Sequence, residues 1–299
     1  MTATDDHASL MAEDSVSQAG LRACQEILRE ESCRSVRYFA QVDSTNSAAC
    51  RDLHNPSAVD PLSDKTQLDP TLPLPRLYLA DAQTAGRGRL GRQWLADDGT
   101  LTFTLLLDVG DAGCATIPRD TLPLVALASG VAVARAIEFL AAPVAARIKW
   151  PNDVHVGGGK VAGVLVEAVA HRPDRLVVGI GLNVATRLSD FAANLQSPAR
   201  ALSELGRGPT ERYAWLPELI RQLRETYARL ANDPASVLEE LRARCLLTGG
   251  AVRYRFGETE GLADCVGIDD DGSLIIRDPS GLRTLRSGEI WQVRGGVVG

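Results

Sequence analysis

A stretch in which glycine and arginine alternate, Gly86-Arg87-Gly88-Arg89-Leu90-Gly91-Arg92, restricts what this chain can fold into more than any other. It contains the GxGxxG spacing of a dinucleotide-binding turn, and that turn requires a strand, a glycine loop and a helix in immediate succession. Downstream of the loop the chain instead runs through Thr100 to Leu107, a β-rich segment of Leu, Thr and Phe with no helical pattern before it. Asp108 imitates the acid that binds a ribose hydroxyl, yet it ends the strand directly after the loop rather than a second strand of a βαβ unit. The sequence context therefore disfavours the doubly wound nucleotide fold. Three arginines on a glycine-softened backbone suit a polyphosphate clamp, because guanidinium forks match phosphate oxygens and glycine lets a ligand approach the main chain. A solvated basic hairpin is the plainer reading, and it explains the arginines but not their close alternation with glycine. Trp94, just past the loop, is either core or a flat face for an adenine ring.

Around this loop the hydrophobic pattern predicts a mixed sheet backed by helices. Apolar or alternating strands are expected at 36–41, 77–80, 101–107, 145–150, 161–169 and 176–183, and a long core helix near 122–141. Asp43-Ser44-Thr45-Asn46-Ser47 offers side chains that suit a helix start. Residues 1–20 are polar and acidic, and residues 21–28 carry one short helical pattern. Between Asn55 and Pro75, five prolines among Asp and Ser indicate an irregular insertion without chemistry. Helical periodicity resumes over 212–230 and 234–245, after which short strands punctuated by Gly-Glu, Asp-Gly and Ser-Gly turns predict a small terminal β-barrel. The expected division is a tail with one helix over 1–35, a catalytic domain over 36–246 and a barrel over 247–299.

Several classes of function are disfavoured by composition. A formal net charge of -6 over 299 residues supplies no bulk basic field to draw the chain onto nucleic acid or an anionic membrane. The acidic first twenty residues do not form a secretory signal, and Arg135 and Glu138 interrupt the most apolar segment, so neither secretion nor a membrane span is expected. Six scattered cysteines without a CxxC pair, and four histidines without ligand spacing, predict reduced thiols rather than disulfides or zinc. A cytoplasmic protein is the expectation.

Three further polar clusters complete the pattern. Lys149-Trp150-Pro151-Asn152-Asp153 sets a cation, an amide and a carboxylate at a strand end broken by proline. Asp153 suits a magnesium ion carried by a nucleotide, and Asn152 could orient the triphosphate or the sugar; a plain β-turn is the alternative. Gly157-Gly158-Gly159-Lys160 is not a Walker loop, because the opening glycine is absent and Val161 stands where Ser or Thr is required. Lys160 leaves a hairpin, where its ammonium could lie between a carboxylate and an α-phosphate, although by itself a surface lysine in a flexible turn is the plainer reading. The glycines of Gly179-Ile180-Gly181-Leu182-Asn183 let a ligand or another backbone pack closely, and an exposed edge strand there could pair with a second copy in a homodimer.

In order and spacing, Ser44-Thr45-Asn46, Gln83 through Arg92, Lys149 through Asp153, Lys160 with Gly163 and Glu167, and Gly179 through Asn183 closely resemble the biotin protein ligase family. The likeness spans about residues 36–299. It implies an α/β (α+β) catalytic domain followed by an SH3-like barrel. It further implies a biotin site formed by Ser44, Thr45, Asn46, Gln83, Gly86, Arg87, Gly88, Arg89, Lys160, Gly163 and Gly179. ATP is implied to be held by Arg87, Arg89, Arg92, Trp94, Asn152, Asp153, Lys160 and Asn183, with Arg89 and Lys160 catalytic and Mg2+ on Asp153. The chemistry implied is activation of biotin to biotinyl-adenylate and transfer to a lysine of a biotin carboxyl carrier domain. Repressor-type members carry an N-terminal winged helix-turn-helix, whereas residues 1–35 offer one short helix, so a monofunctional enzyme with no nucleic-acid role is expected. A lipoate-protein ligase and a non-catalytic biotin-binding protein are the rival readings.

Overall fold

The computed structural model describes residues 9–13, 15–54, 74–110, 116–195 and 197–292; the insertion expected at 55–75 falls almost wholly outside them. Nine strands form one mixed sheet. β1 (Ser9–Ala12), β2 (Ser35–Val42) and β3 (Arg76–Gln83) run parallel to one another. β4 (Thr100–Val109) turns antiparallel to β3 and also pairs with the short β5 (Thr116–Ile117). Beyond β4 come β9 (Arg172–Asn183), β8 (Gly159–Val169), β7 (Asp153–Val156) and β6 (Ala146–Lys149), all antiparallel. The strand at Gly179–Asn183 is consequently central, hydrogen-bonded to β4 on one side and β8 on the other, not the exposed edge expected from its glycines. β1 extends the opposite edge in a region from which only a helix was expected, and the side chain of Glu13 just after it accepts from the Ala40 N–H.

The two faces of the sheet are treated differently, and this asymmetry creates the site. On one face α1 (Gln18–Arg29), α3 (Val125–Leu140), α4 (Leu216–Asn232) and α5 (Pro234–Arg244) cover Leu101, Phe103, Leu105, Ile180 and Leu182. With its preceding 3-10 turn, α3 is long and apolar enough to cross a membrane, yet its residues pack into this core. On the other face the described residues place one helix, α2 (Thr45–His54), seated on Phe39, Tyr78, Ala80, Leu106 and Val177. Strand alternation sends Thr102, Thr104, Gly179, Gly181 and Gly163 to that second face, where small side chains leave room beyond the end of α2.

The C-terminal unit is an antiparallel sheet in the order β13 (Gly281–Leu285), β12 (Leu274–Asp278), β11 (Thr259–Ile268), β10 (Ala251–Phe256), β14 (Glu289–Gln292), of SH3-like type. It is bonded to the larger domain at the Lys-Trp-Pro-Asn-Asp segment: Trp150, 2% exposed, donates its indole N–H to the Gly272 carbonyl at 3.0 Å.

Candidate active site

The cavity of about 360 Å³ lies on the lightly covered face of the sheet and is walled by the glycine-arginine loop, the start of α2, the strand ends around Asn152 and Lys160, and β14 of the barrel. That size is within the range of small-molecule sites.

The loop is itself a tight hairpin. Arg87 and Gln93 form an antiparallel bridge, the Gly88 N–H donates to Arg92 O at 2.7 Å, and the Trp94 N–H donates to Gly86 O at 2.9 Å. At its tip Leu90 and Gly91 both have positive φ, of 56° and 73°, a conformation that costs glycine little and leucine more. The basic hairpin of the plainer reading is present, but its three arginines have three fates. Arg87 is bound to Glu167 on β8 at 2.6 Å. Arg92 is paired with Glu289 of the barrel, which Arg255 also holds. Arg89 is half-buried on the cavity wall with no ion-pair partner among the described residues, and burial draws its pKa down against the weaker upward pull of Asp153.

Opposite the loop, Lys160 binds Asp153 at 2.6 Å and its ammonium lies 5.4 Å from the centre of the Trp94 ring. Lys149 also lines the cavity, likewise without an ion pair among the described residues, and burial lowers its pKa. Two unpaired, partly sequestered cations beside a third are an unfavourable arrangement until an anion arrives. The chemistry invited is that of a polyanion.

At the α2 end the polar groups are neutral. Gln83 Oε1 accepts from both the amide and the hydroxyl of Thr45, at 2.8 and 3.1 Å, leaving its side-chain N–H groups as donors. Ser44 and Thr45 are buried on the wall. Asn46 is there too, but both ends of its amide are engaged: Thr104 donates to Oδ1 at 2.6 Å, and Nδ2 donates to Glu167 at 2.8 Å. On the floor, Gly163 faces Gly181 across β8 and β9, and the Trp94 indole lies directly on Gly181. The buried indole Nε1 has no partner among the described residues.

Of the residues expected in the site, the structure brings Ser44, Thr45, Asn46, Gln83, Arg87, Gly88, Arg89, Arg92, Trp94, Asn152, Asp153, Lys160, Gly163, Gly179 and Asn183 to this one cavity. Gly86 lies outside the lining, buried against the Trp94 backbone, so its part is to close the hairpin. Asn152 gives its Nδ2 to Val164 O at 2.8 Å and keeps Oδ1 for the cavity. Sequence reasoning did not single out Leu188, Phe191 and Leu195, on and after a 3-10 turn (Leu188–Asn194), nor Glu289 of β14, all on the wall. No local motif marks them. Their place depends on how distant segments fold back.

Asp153 and Glu289 are the carboxylates on the wall, and both are already paired with cations. Among the described residues no cluster of three or more His, Cys, Asp or Glu could hold a metal. This donor set suits an ion carried in with phosphate oxygens, not one caged by protein.

A mixed sheet with a cation-lined cavity on one face, joined to an SH3-like unit, puts the chain in the fold class of the biotin and lipoate protein ligases. The sequence matches the Biotin/lipoate A/B protein ligase family over residues 60–183 and the biotin protein ligase C-terminal domain over residues 251–291. It is 31% identical over 262 residues to a biotin--[acetyl-CoA-carboxylase] ligase of Paracoccus denitrificans, covering 85% of this chain and 98% of that protein. To a bifunctional ligase/repressor BirA of Bacillus spizizenii it is 32% identical over 219 residues, 72% of this chain but only 65% of the relative's length. A biotin protein ligase from Aquifex aeolicus, solved in complex with biotin and ATP, superimposes with a TM-score of 0.67 at 27% identity, covering 87% of this chain and 99% of that one. The chain belongs to the biotin protein ligase family.

Proposed function

We propose that this protein activates biotin with ATP and transfers it to a lysine of a biotin carboxyl carrier domain. The observation that carries the reading is the convergence of Arg89, Lys149 and Lys160, from three separate segments, on one cavity whose other end presents neutral hydrogen-bonding groups. Gln83, Ser44 and Thr45 would address the ureido ring, while the apolar and glycine floor accepts the rest of the ligand. At the cationic end a biotin carboxylate and the ATP α-phosphate, which repel one another in water, would be held in contact.

The carboxylate oxygen attacks the α-phosphorus, the bond to the β-phosphate oxygen breaks, and pyrophosphate leaves with the electron pair. The neutral amine of the acceptor lysine then attacks the acyl carbon, AMP departs, and the nitrogen loses a proton. Arg89 and Lys160 would stabilise the charge that builds on the phosphate, Asp153 would fix the Lys160 ammonium, and Trp94 would lie against the adenine. Magnesium, when bound with the nucleotide, would neutralise phosphate charge beside Asp153.

Two features favour this over a lipoate ligase: relatives such as the Paracoccus denitrificans protein bear biotin ligase names, and the barrel matches the biotin ligase C-terminal domain. The test is pyrophosphate release with ATP and either biotin or lipoic acid, followed by mass gain on a carrier-domain lysine. Release with biotin and a biotin-sized gain are expected; turnover of lipoic acid alone would overturn the proposal. Binding of biotin without ATP turnover would leave a non-catalytic binder.

A further inference from the structure

We infer that Glu167 is a positioning residue: a carboxylate outside the cavity that clamps the glycine-arginine loop shut and fixes the amide of Asn46 behind the biotin end. The inference rests on the biotin ligase reading of the same cavity. Glu167 sits on β8, paired with Val177, and does not line the cavity. Its Oε1 accepts from Arg87 Nη2 at 2.6 Å, and its Oε2 accepts from Asn46 Nδ2 at 2.8 Å. Arg87 Nη1 reaches Ser47 Oγ on α2 at 3.3 Å. One side chain therefore joins the hairpin, the first turn of α2 and the sheet.

An ionised carboxylate can only accept hydrogen bonds, so Asn46 must turn its NH2 toward Glu167 and its oxygen toward the Thr104 hydroxyl. Thr104 Oγ1 in turn lies 2.8 Å from Thr45 Oγ1, beside Gln83. Orientation set at Glu167 is thus passed to the Asn46 amide, itself on the cavity wall, and to the Thr104 hydroxyl that donates to it. Arg87, the first arginine of the loop, serves as the other half of the clamp, its guanidinium engaged by Glu167 and Ser47. Among the described residues the loop's other ties are its own hairpin bonds, the Thr84 and Ala85 N–H groups donating to Val42 O and Asp43 O at its entrance, the packing of Trp94 on Gly181 at its exit, and the Arg92 pair with the barrel.

Two readouts test the clamp in Glu167→Gln, Arg87→Gln and the double variant. The first needs no ligand: limited trypsin cleavage after Arg89 and Arg92, which should be at least about threefold faster in either single variant as the loop opens. The second is steady-state pyrophosphate release by Glu167→Gln, in which the KM for biotin should rise about three- to tenfold with kcat held within about twofold. The double variant should be no worse than either single one, because both break the same pair. Should Glu167→Gln fail to fold, Arg87→Gln breaks the clamp from the loop side without altering the sheet. Wild-type cleavage rates and biotin KM in the variants would overturn the inference, as would fully additive losses in the double variant. A wild-type protein that does not bind biotin would sink the ligase reading, while the cleavage comparison would still decide the clamp.

Discussion

Replacing Gly181 by alanine puts a methyl group where the Trp94 indole now lies. The added carbon would stand 2.2 Å from Trp94 Cε2, 2.4 Å from Cζ2 and 2.6 Å from Nε1. Carbon atoms in ordinary contact sit about 3.5 Å apart or more, so the ring must retreat by more than about 1 Å. Gly181 belongs to a central strand hydrogen-bonded on both sides, so the floor cannot yield and the ring must move outward into the cavity. Because that side is open, the stability cost should fall near the low end of the overpacking range, about 1 kcal/mol, or a fall of about 2–4 °C in Tm. Ligand binding should suffer more. Aromatic stacking on a base contributes about 1–3 kcal/mol, and a ring displaced by a methyl thickness loses much of it, so ATP affinity should drop about tenfold. Gly163→Ala is the internal comparison: its methyl would meet Trp94 at 3.1 Å and the flexible end of Lys160 at 3.2 Å, which small adjustments absorb. Thermal melting and ATP titration of both variants decide the matter. If Gly181→Ala binds ATP like wild type, Trp94 does not form the nucleotide platform and the reasoning fails.

Lys160→Ala should reduce adenylate synthesis by about a hundredfold or more while leaving Tm nearly unchanged, since its ion pair is partly solvated; normal adenylate yield from a folded variant would remove Lys160 from the chemistry. His155, buried on β7 with neither ring nitrogen partnered among the described residues, has its pKa lowered by burial to about 4 from 6.5. The unfolded chain therefore binds the extra proton first as pH falls, so stability is lost between about pH 6.5 and 4, by about 3 kcal/mol in all. Urea denaturation should show this loss flattened in His155→Phe; parallel pH profiles would refute it. Trp150→Phe strips the buried Gly272 carbonyl of its donor and should cost about 1–2 kcal/mol, read as a lower urea midpoint at constant m.

Much of the architecture is legible along the chain because strands and helices carry their own periodicities. The runs at 101–107, 161–169 and 176–183 lie within β4, β8 and β9, and the helical patterns at 212–230 and 234–245 lie within or across the helices α4 and α5. β1 was not legible, since four residues in an acidic tail become a strand only through pairing with β2. The central position of β9 was not legible either: glycines that look like a weak edge are spaces kept for Asn46 and Trp94, and only the register with β4 and β8 reveals this.

The site divides along the same physical line. Local chemistry alone marked the glycine-arginine hairpin and Lys149 to Asp153, because cations, amides and carboxylates beside chain-breaking residues declare themselves within a few positions, whereas Lys160 on its own reads as a surface lysine and is given weight only by the family resemblance. What each arginine does was decided by long-range contacts. Arg87 meets Glu167 eighty residues on, Arg92 meets the barrel, and Arg89 is left without an ion-pair partner among the described residues. A sequence states which groups carry charge, but whether a charge is neutralised or kept waiting depends on which distant group the packed sheet brings within reach.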